Sequence, residues 1–145
     1  MSEKNDIYYM KIAFKEAQKA EENNEIPVGA IIVLNGKIVS KAYNLRDSKN
    51  IVTYHAEILA IEKANRKLQN WRLNECILYT TLQPCDMCLE VIKNCKIKEI
   101  KYAAKSNTRT KNEENEFQVE DEEIIKKSEN LIIEAFKKIR REKNN

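Results

Sequence analysis

Pro27-Val28-Gly29-Ala30-Ile31-Ile32-Val33-Leu34-Asn35-Gly36-Lys37-Ile38-Val39-Ser40-Lys41-Ala42-Tyr43 is the stretch that decides the fold class. Two apolar runs flank Asn35-Gly36, a dipeptide suited to the type I′ turn because both central residues of that turn need positive φ. The stretch therefore predicts two antiparallel strands joined by a tight hairpin. Before it, Ile7, Met10, Phe14 and Ala17 recur at helical spacing, so an amphipathic helix is predicted from Ile7 to Glu22, ending near Asn23-Asn24. After it, the pattern turns helical from about Thr53 to Leu68 through Ile58, Leu59, Ile61 and Ala64. Cys76 to Leu82 reads as a buried strand, Cys85 to Cys95 as a short helix and Ile97 to Ala104 as a fourth strand. The polar segment Ser106 to Glu116 reads as loop, Phe117-Gln118-Val119 as a short fifth strand and Glu123 to Arg141 as a terminal helix. Strands alternating with helices predict an α/β sheet covered on both faces.

The chain has 145 residues, the usual size of one domain, and the expectation is a single domain over 1–145. Hydrophobic residues make up 42% and charged residues 34%, with two Gly and two Pro, which excludes disordered and fibrous classes. No run approaches the roughly 20 apolar residues of a membrane span, and Met1 to Asp6 precedes no signal-peptide core, so a cytoplasmic location is expected. Thiols stay reduced there, so the four cysteines suggest metal or catalytic chemistry sooner than disulfides. The net charge of +3 does not by itself mark a polyanionic partner, but its distribution is uneven. Residues 137 to 143 carry five cations, while Glu113 to Glu123 holds seven acids. A cationic helix end complements the macrodipole and is also suited to RNA contact.

Two local patterns carry chemistry: His55-Ala56-Glu57 at the start of the second long helix, and Pro84-Cys85-Asp86-Met87-Cys88 at the start of the third. Taken alone, a Cys-x-x-Cys at a helix N-terminus suits either a metal or a redox couple, because the dipole favours thiolates. Taken alone, a His there is a cap or core residue and a Glu in the first turn is dipole-favoured. Together, and in this order, with His55 the only histidine, they match a zinc-deaminase signature. Cys95 lies seven residues beyond Cys88, roughly 10 Å along a helix, and Cys76 opens a strand whose far end leads to the site, about 16 Å away. Both are therefore packing residues, and His55, Cys85 and Cys88 remain as three ligands that leave a fourth position for water. His55 and Glu57 sit two apart, so they converge only at a point off the helix N-terminus.

At these residues the chain resembles the cytidine deaminase superfamily, and more closely its bacterial tRNA-specific adenosine deaminases. The resemblance runs over roughly residues 5 to 105, including Ile26-Pro27-Val28-Gly29-Ala30, Asn44, His55 to Ile61, Asn70-Trp71-Arg72-Leu73 and Leu78 to Cys85. It resumes in Ala135-Phe136-Lys137-Lys138-Ile139-Arg140-Arg141, similar to the family's aromatic-basic ending. The resemblance implies a three-layer αβα fold with a mixed sheet of about five strands in the order 2-1-3-4-5. It also implies one Zn2+ per chain and hydrolytic deamination of the wobble adenosine to inosine in the anticodon arm of tRNA. Glu57 would move the protons, Asn44 would contact the base, and Val28 and Leu82 would line its pocket. A homodimer, in which each partner helps shape the other's RNA surface, is implied as well, with no membrane role.

The chain departs from that family after the fourth strand. Ala103-Ala104-Lys105-Ser106-Asn107-Thr108-Arg109-Thr110-Lys111 has no Gly, is short, and carries Ser106 where an acid is common. Gln83 replaces the usual Glu before Pro-Cys and receives no role from sequence. Ser106 to Glu116 gives eleven residues for a parallel crossover that usually needs a dozen or more, a borderline length that makes the seat of the fifth strand the least secured part of the sheet. The acids of 113–123 would repel phosphates if they faced the substrate. Alternative readings are a deaminase of a free base or nucleoside such as guanine or cytosine, a non-catalytic zinc-bearing subunit or RNA-binding module, and a Cys-x-x-Cys redox protein.

Overall fold

The structure is a computed structural model that describes residues 2–143. The Asn35-Gly36 turn has φ of 49° and 76°, as the hairpin requires, and joins β1 (Gly29–Leu34) to β2 (Lys37–Tyr43) with Leu34 opposite Lys37. Around this hairpin the sheet is completed by β3 (Cys76–Leu82), β4 (Glu99–Ala104) and β5 (Glu116–Gln118), in the order β2-β1-β3-β4-β5. β1 is antiparallel to β2 and β3, whereas β3, β4 and β5 run parallel to one another. The helices are α1 (Ser2–Glu22), α2 (Arg46–Lys49), α3 (Ala56–Leu68), α4 (Asp86–Asn94) and α5 (Glu122–Lys143).

Alternation along β1 divides the core into two layers. Ala30 and Ile32 face Leu59, Ala60 and Ala64 of α3 and Leu89 and Ile92 of α4. Ile31 and Val33 face Tyr9, Met10 and Ala13 of α1 and Ile124 of α5. The second layer seats α1 so tightly that a Cβ on Gly29 would lie 2.0 Å from the Ala13 carbonyl oxygen and 2.4 Å from the Ala17 nitrogen. Gly29 is thus required by close approach, with its side-chain volume ceded to the helix backbone. The long α5 begins among the α1 contacts through Ile124 and Ile125, and by Ile132 it packs against the other layer. Its last turns therefore reach round to the end of the sheet, where Lys138 Nζ donates to Asn24 Oδ1 at 2.9 Å.

The strand order is the expected one, and three details of the elements differ. The fifth strand is neither absent nor displaced: Ile100, Lys101 and Tyr102 pair with Glu116, Phe117 and Gln118. It starts one residue before the predicted Phe117, because Glu116 is drawn inward by Arg109, with Nη2 to Oε1 at 2.6 Å and both side chains almost wholly buried. Folding around a buried ion pair lets so short a connection close without a helix. The short α2 was not anticipated; it is held from outside its own sequence by Glu25, whose carboxylate accepts the N–H groups of Asp47 (3.1 Å) and Ser48 (2.7 Å). α3 begins at Ala56, a few residues after Thr53, leaving His55 as its N-cap residue.

Candidate active site

The parallel strands end, and two helices begin, at one place. β3 runs out through Gln83-Pro84 into Cys85, the N-cap of α4, while the segment after α2 delivers His55 as the N-cap of α3. Neither cap side chain bonds its own helix, although an N-cap side chain ordinarily does so. They turn to each other instead. His55 Nδ1 lies 3.7 Å from Cys85 Sγ and 3.4 Å from Cys88 Sγ, and the three donor atoms all fall within 4.8 Å. Ligands at ordinary Zn–S and Zn–N bond lengths around a tetrahedral ion stand about 3.5 Å apart, so the donor set fits zinc in type and spacing. Cys76 and Cys95 lie in the core beneath α3 and α4, outside this group, and burial pushes the Cys95 thiol up to about 11.

The electrostatics follow from the arrangement. Hydrogen bonds from the Cys88 thiol and from His55 lower the Cys85 thiol to about 3, with the N-terminus of α4 favouring the anion further. Cys88 is raised by its bond to the Cys85 thiolate and by burial. A bound divalent cation would favour deprotonation of both thiols, since thiolate is the form that ligates. His55 is raised, first by its bond to Cys85 and then by the nearby Glu57 charge, against the effect of burial. Glu57, buried in the first turn of α3, is pushed up to about 7 by desolvation. Both it and His55 open onto the same cavity, as the argument from a common point off the helix end requires.

That cavity, about 700 Å³, gathers the other predicted residues. Val28 and Leu82 form apolar wall, and Asn44 stands beside them. The Asn44 side chain is also a turn device: Oδ1 accepts the Arg46 N–H at 3.1 Å, and Nδ2 donates to the Ile26 carbonyl at 3.2 Å. The two readings of Asn44, turn residue and cavity residue, hold together, since the turn bonds fix the plane of the amide at the wall. Sequence reasoning missed Arg46 and Asp47 of α2 and Ser106 of the loop, and it put no wall residue on α5. Phe136, Ile139, Arg140 and Lys143 of α5 nonetheless line the mouth. The aromatic-basic spacing was the available signal, but nothing local to it says which end of the sheet it meets. The acids of 113–123 do not line the cavity; Glu113 pairs with Lys93 at 3.2 Å and Glu116 with Arg109.

Residues 3–104 match the family model of the cytidine and deoxycytidylate deaminase zinc-binding region. The chain belongs to this family. Within it, the sequence is 43% identical over 99 residues to the tRNA-specific adenosine deaminase of Bacillus subtilis (strain 168), covering 68% of this chain and 62% of the relative. It is 46% identical over 112 residues to that of Buchnera aphidicola subsp. Schizaphis graminum (strain Sg), covering 77% and 74% respectively. The chain thus spans less than two thirds of the first relative's length and about three quarters of the second's. A structure solved in a study of A-to-I editing by tRNA:A34 deaminases at the wobble position of transfer RNA superposes with a TM-score of 0.79 at 28% identity, covering 86% of this chain and 99% of that one. The deaminase family's three-layer αβα fold and its strand order are those found here. Family membership and the three-donor group together give the site one zinc ion.

Proposed function

We propose that residues 1–145 form one zinc deaminase domain that hydrolyses the wobble adenosine of a tRNA anticodon arm to inosine. The observation that carries this reading is the buried carboxyl of Glu57 beside the three-donor group, in a cavity whose mouth is cationic and aromatic. His55, Cys85 and Cys88 hold the ion, which when bound makes water acidic enough to serve as hydroxide near pH 7. Glu57 would accept a proton from the attacking water and deliver it to adenine N1; it would then take the remaining proton from the oxygen now on C6 and pass it to the amine, so that ammonia leaves as the C6–N bond breaks and C6 keeps the oxygen as a carbonyl. Burial raises the pKa of Glu57 above the ordinary carboxylate range, which favours the proton-carrying form between the two transfers. Val28 and Leu82 hold the base ring between apolar walls. Asn44, its plane fixed by Ile26 and Arg46, offers its remaining amide hydrogen and lone pair to the base edge.

The mouth supports RNA over a free base. Phe136 is half exposed, and Arg46, Arg140 and Lys143 surround the entrance, the combination of aromatic face and cations that grips single-stranded nucleotides. We also propose a homodimer, supported by the exposed Ile51 and Val52 between α2 and His55, with Val52 at 70% exposure. Among the described residues no helix is long and apolar enough to cross a membrane. The proposed location is the cytoplasm, where the tRNA substrate is found. Incubation of the purified protein with an anticodon stem-loop, and separately with free guanine and cytosine, tests the reading. Inosine is expected in the RNA; ammonia from a free base with no inosine in the RNA would replace this reading with the free-base one.

A further inference from the structure

The connection between β4 and β5 does more than shorten a loop. Arg109 lies within it with a side chain only 5% exposed, and it makes four hydrogen bonds from one planar fork. Nη1 donates to Glu116 Oε2 (3.1 Å) and Nη2 to Glu116 Oε1 (2.6 Å) and the Lys111 carbonyl (3.3 Å). The fourth bond leaves the loop: Nη1 donates to the carbonyl oxygen of Pro84 at 2.8 Å, the residue immediately before Cys85. Gln83, on the other side of Pro84, is tied to the same loop. Its Oε1 accepts the Ser106 N–H (3.2 Å) and its Nε2 donates to Asn112 Oδ1 (3.1 Å), while Asn112 Nδ2 donates to the Glu116 carbonyl (3.1 Å). The bonds close a ring, from Gln83 through Asn112, Glu116 and Arg109 back to Pro84. Gln83, left without a role by sequence, is one of its two attachments to the Cys85 turn.

We propose that Arg109, anchored on Glu116, is a positioning residue that holds the Pro84-Cys85 turn in the geometry required for retaining the metal. The inference rests on the reading of Cys85 as a metal ligand. Pro84 has no N–H, so the turn lacks one of the backbone bonds that would otherwise fix it. A guanidinium supplies the substitute because it is planar and permanently charged, and because the carboxylate behind it takes up two of its donors side by side. Lysine could satisfy Glu116 but could not span both Glu116 and Pro84 in this fork.

The test is zinc release from the full-length, zinc-loaded protein into a chromophoric chelator, read with the melting temperature of each variant. Arg109→Met with Glu116→Leu removes both buried charges, a replacement that often leaves stability near neutral. Release is expected to quicken about tenfold or more, the scale on which groups supporting a ligand affect metal affinity. Arg109→Lys, which keeps the charge and loses the fork, is expected to quicken it as well and stands in if the double variant does not fold. Ile124→Ala, in the core far from the turn, is the control for simple destabilisation. Release at the wild-type rate from the Arg109 variants, or release that follows melting temperature equally in all variants including Ile124→Ala, overturns the proposal. If the wild-type protein retains no zinc, or if Cys85→Ser leaves release unchanged, the metal-site reading falls and the proposal with it.

Discussion

His55, Glu57, Cys85 and Cys88 reach the cavity from two short motifs at the N-termini of α3 and α4, whereas Phe136, Ile139, Arg140 and Lys143 reach it from a helix that begins on the opposite face of the sheet. The first group is placed by local rules. A residue at an N-cap has its side chain at the helix end, and two such ends brought together at one end of the sheet converge on one point. The second group is placed by the path of α5, which passes from one core layer to the other before its last turns meet the mouth. In the proposed enzyme the contrast is also one of role: the motif residues do chemistry common to the family, and the helix end selects what enters. The two should respond differently to substitution.

The largest expected effect is at Glu57. Glu57→Gln should lower the deamination rate by about a thousandfold, within the range of general acid–base catalysis, while metal analysis still finds one zinc per chain. Loss of zinc together with activity would move Glu57 from chemistry to metal retention. Next comes the packing that underlies both groups. Gly29→Ala places a methyl on the α1 backbone, and chemical denaturation should report destabilisation of about 3 kcal/mol, as overpacking with strain commonly gives.

Smaller, and different in kind, is the effect of the helix end. Arg140→Glu with Lys143→Glu should raise KM for the RNA about tenfold and flatten its dependence on salt, with kcat little changed. A fall in kcat at constant KM would tie α5 to the chemical step and erase the contrast drawn above. The smallest effect belongs to the acidic segment. Glu113→Gln breaks a surface pair with Lys93, away from the mouth, and should alter KM by less than about twofold, in keeping with the weakness of exposed ion pairs.

Legibility from sequence follows the same division. Asn35-Gly36 predicted its hairpin because the turn's dihedrals are a property of those two residues, and the observed φ values agree. The hydrophobic periods located α1, α3, β3, α4 and α5 to within a few residues, and the spacing argument rightly set Cys76 and Cys95 apart from the three-donor group. β5 formed where the strand pattern put it, and loop length argued against its place only because the side chains inside the loop were left out of account. Neither Arg109 nor Glu116 is unusual in a polar segment, and their pairing appears only when the chain brings them into the interior. Glu25 is a similar case, since its carboxylate serves the amides of α2 more than twenty residues away.

The sequence by itself determined the sheet's hairpin, the helix starts and the identity of the metal donors, because each depends on the conformational preferences and chemistry of residues close together in the chain. Only the tertiary structure decided that the cationic end of α5 meets the mouth of the cavity, that the acids of 113–123 do not, and that Gln83 and Arg109 hold the turn before Cys85. Those outcomes depend on burial and on hydrogen bonds between distant segments, whose energies exist only once the core has brought the partners together.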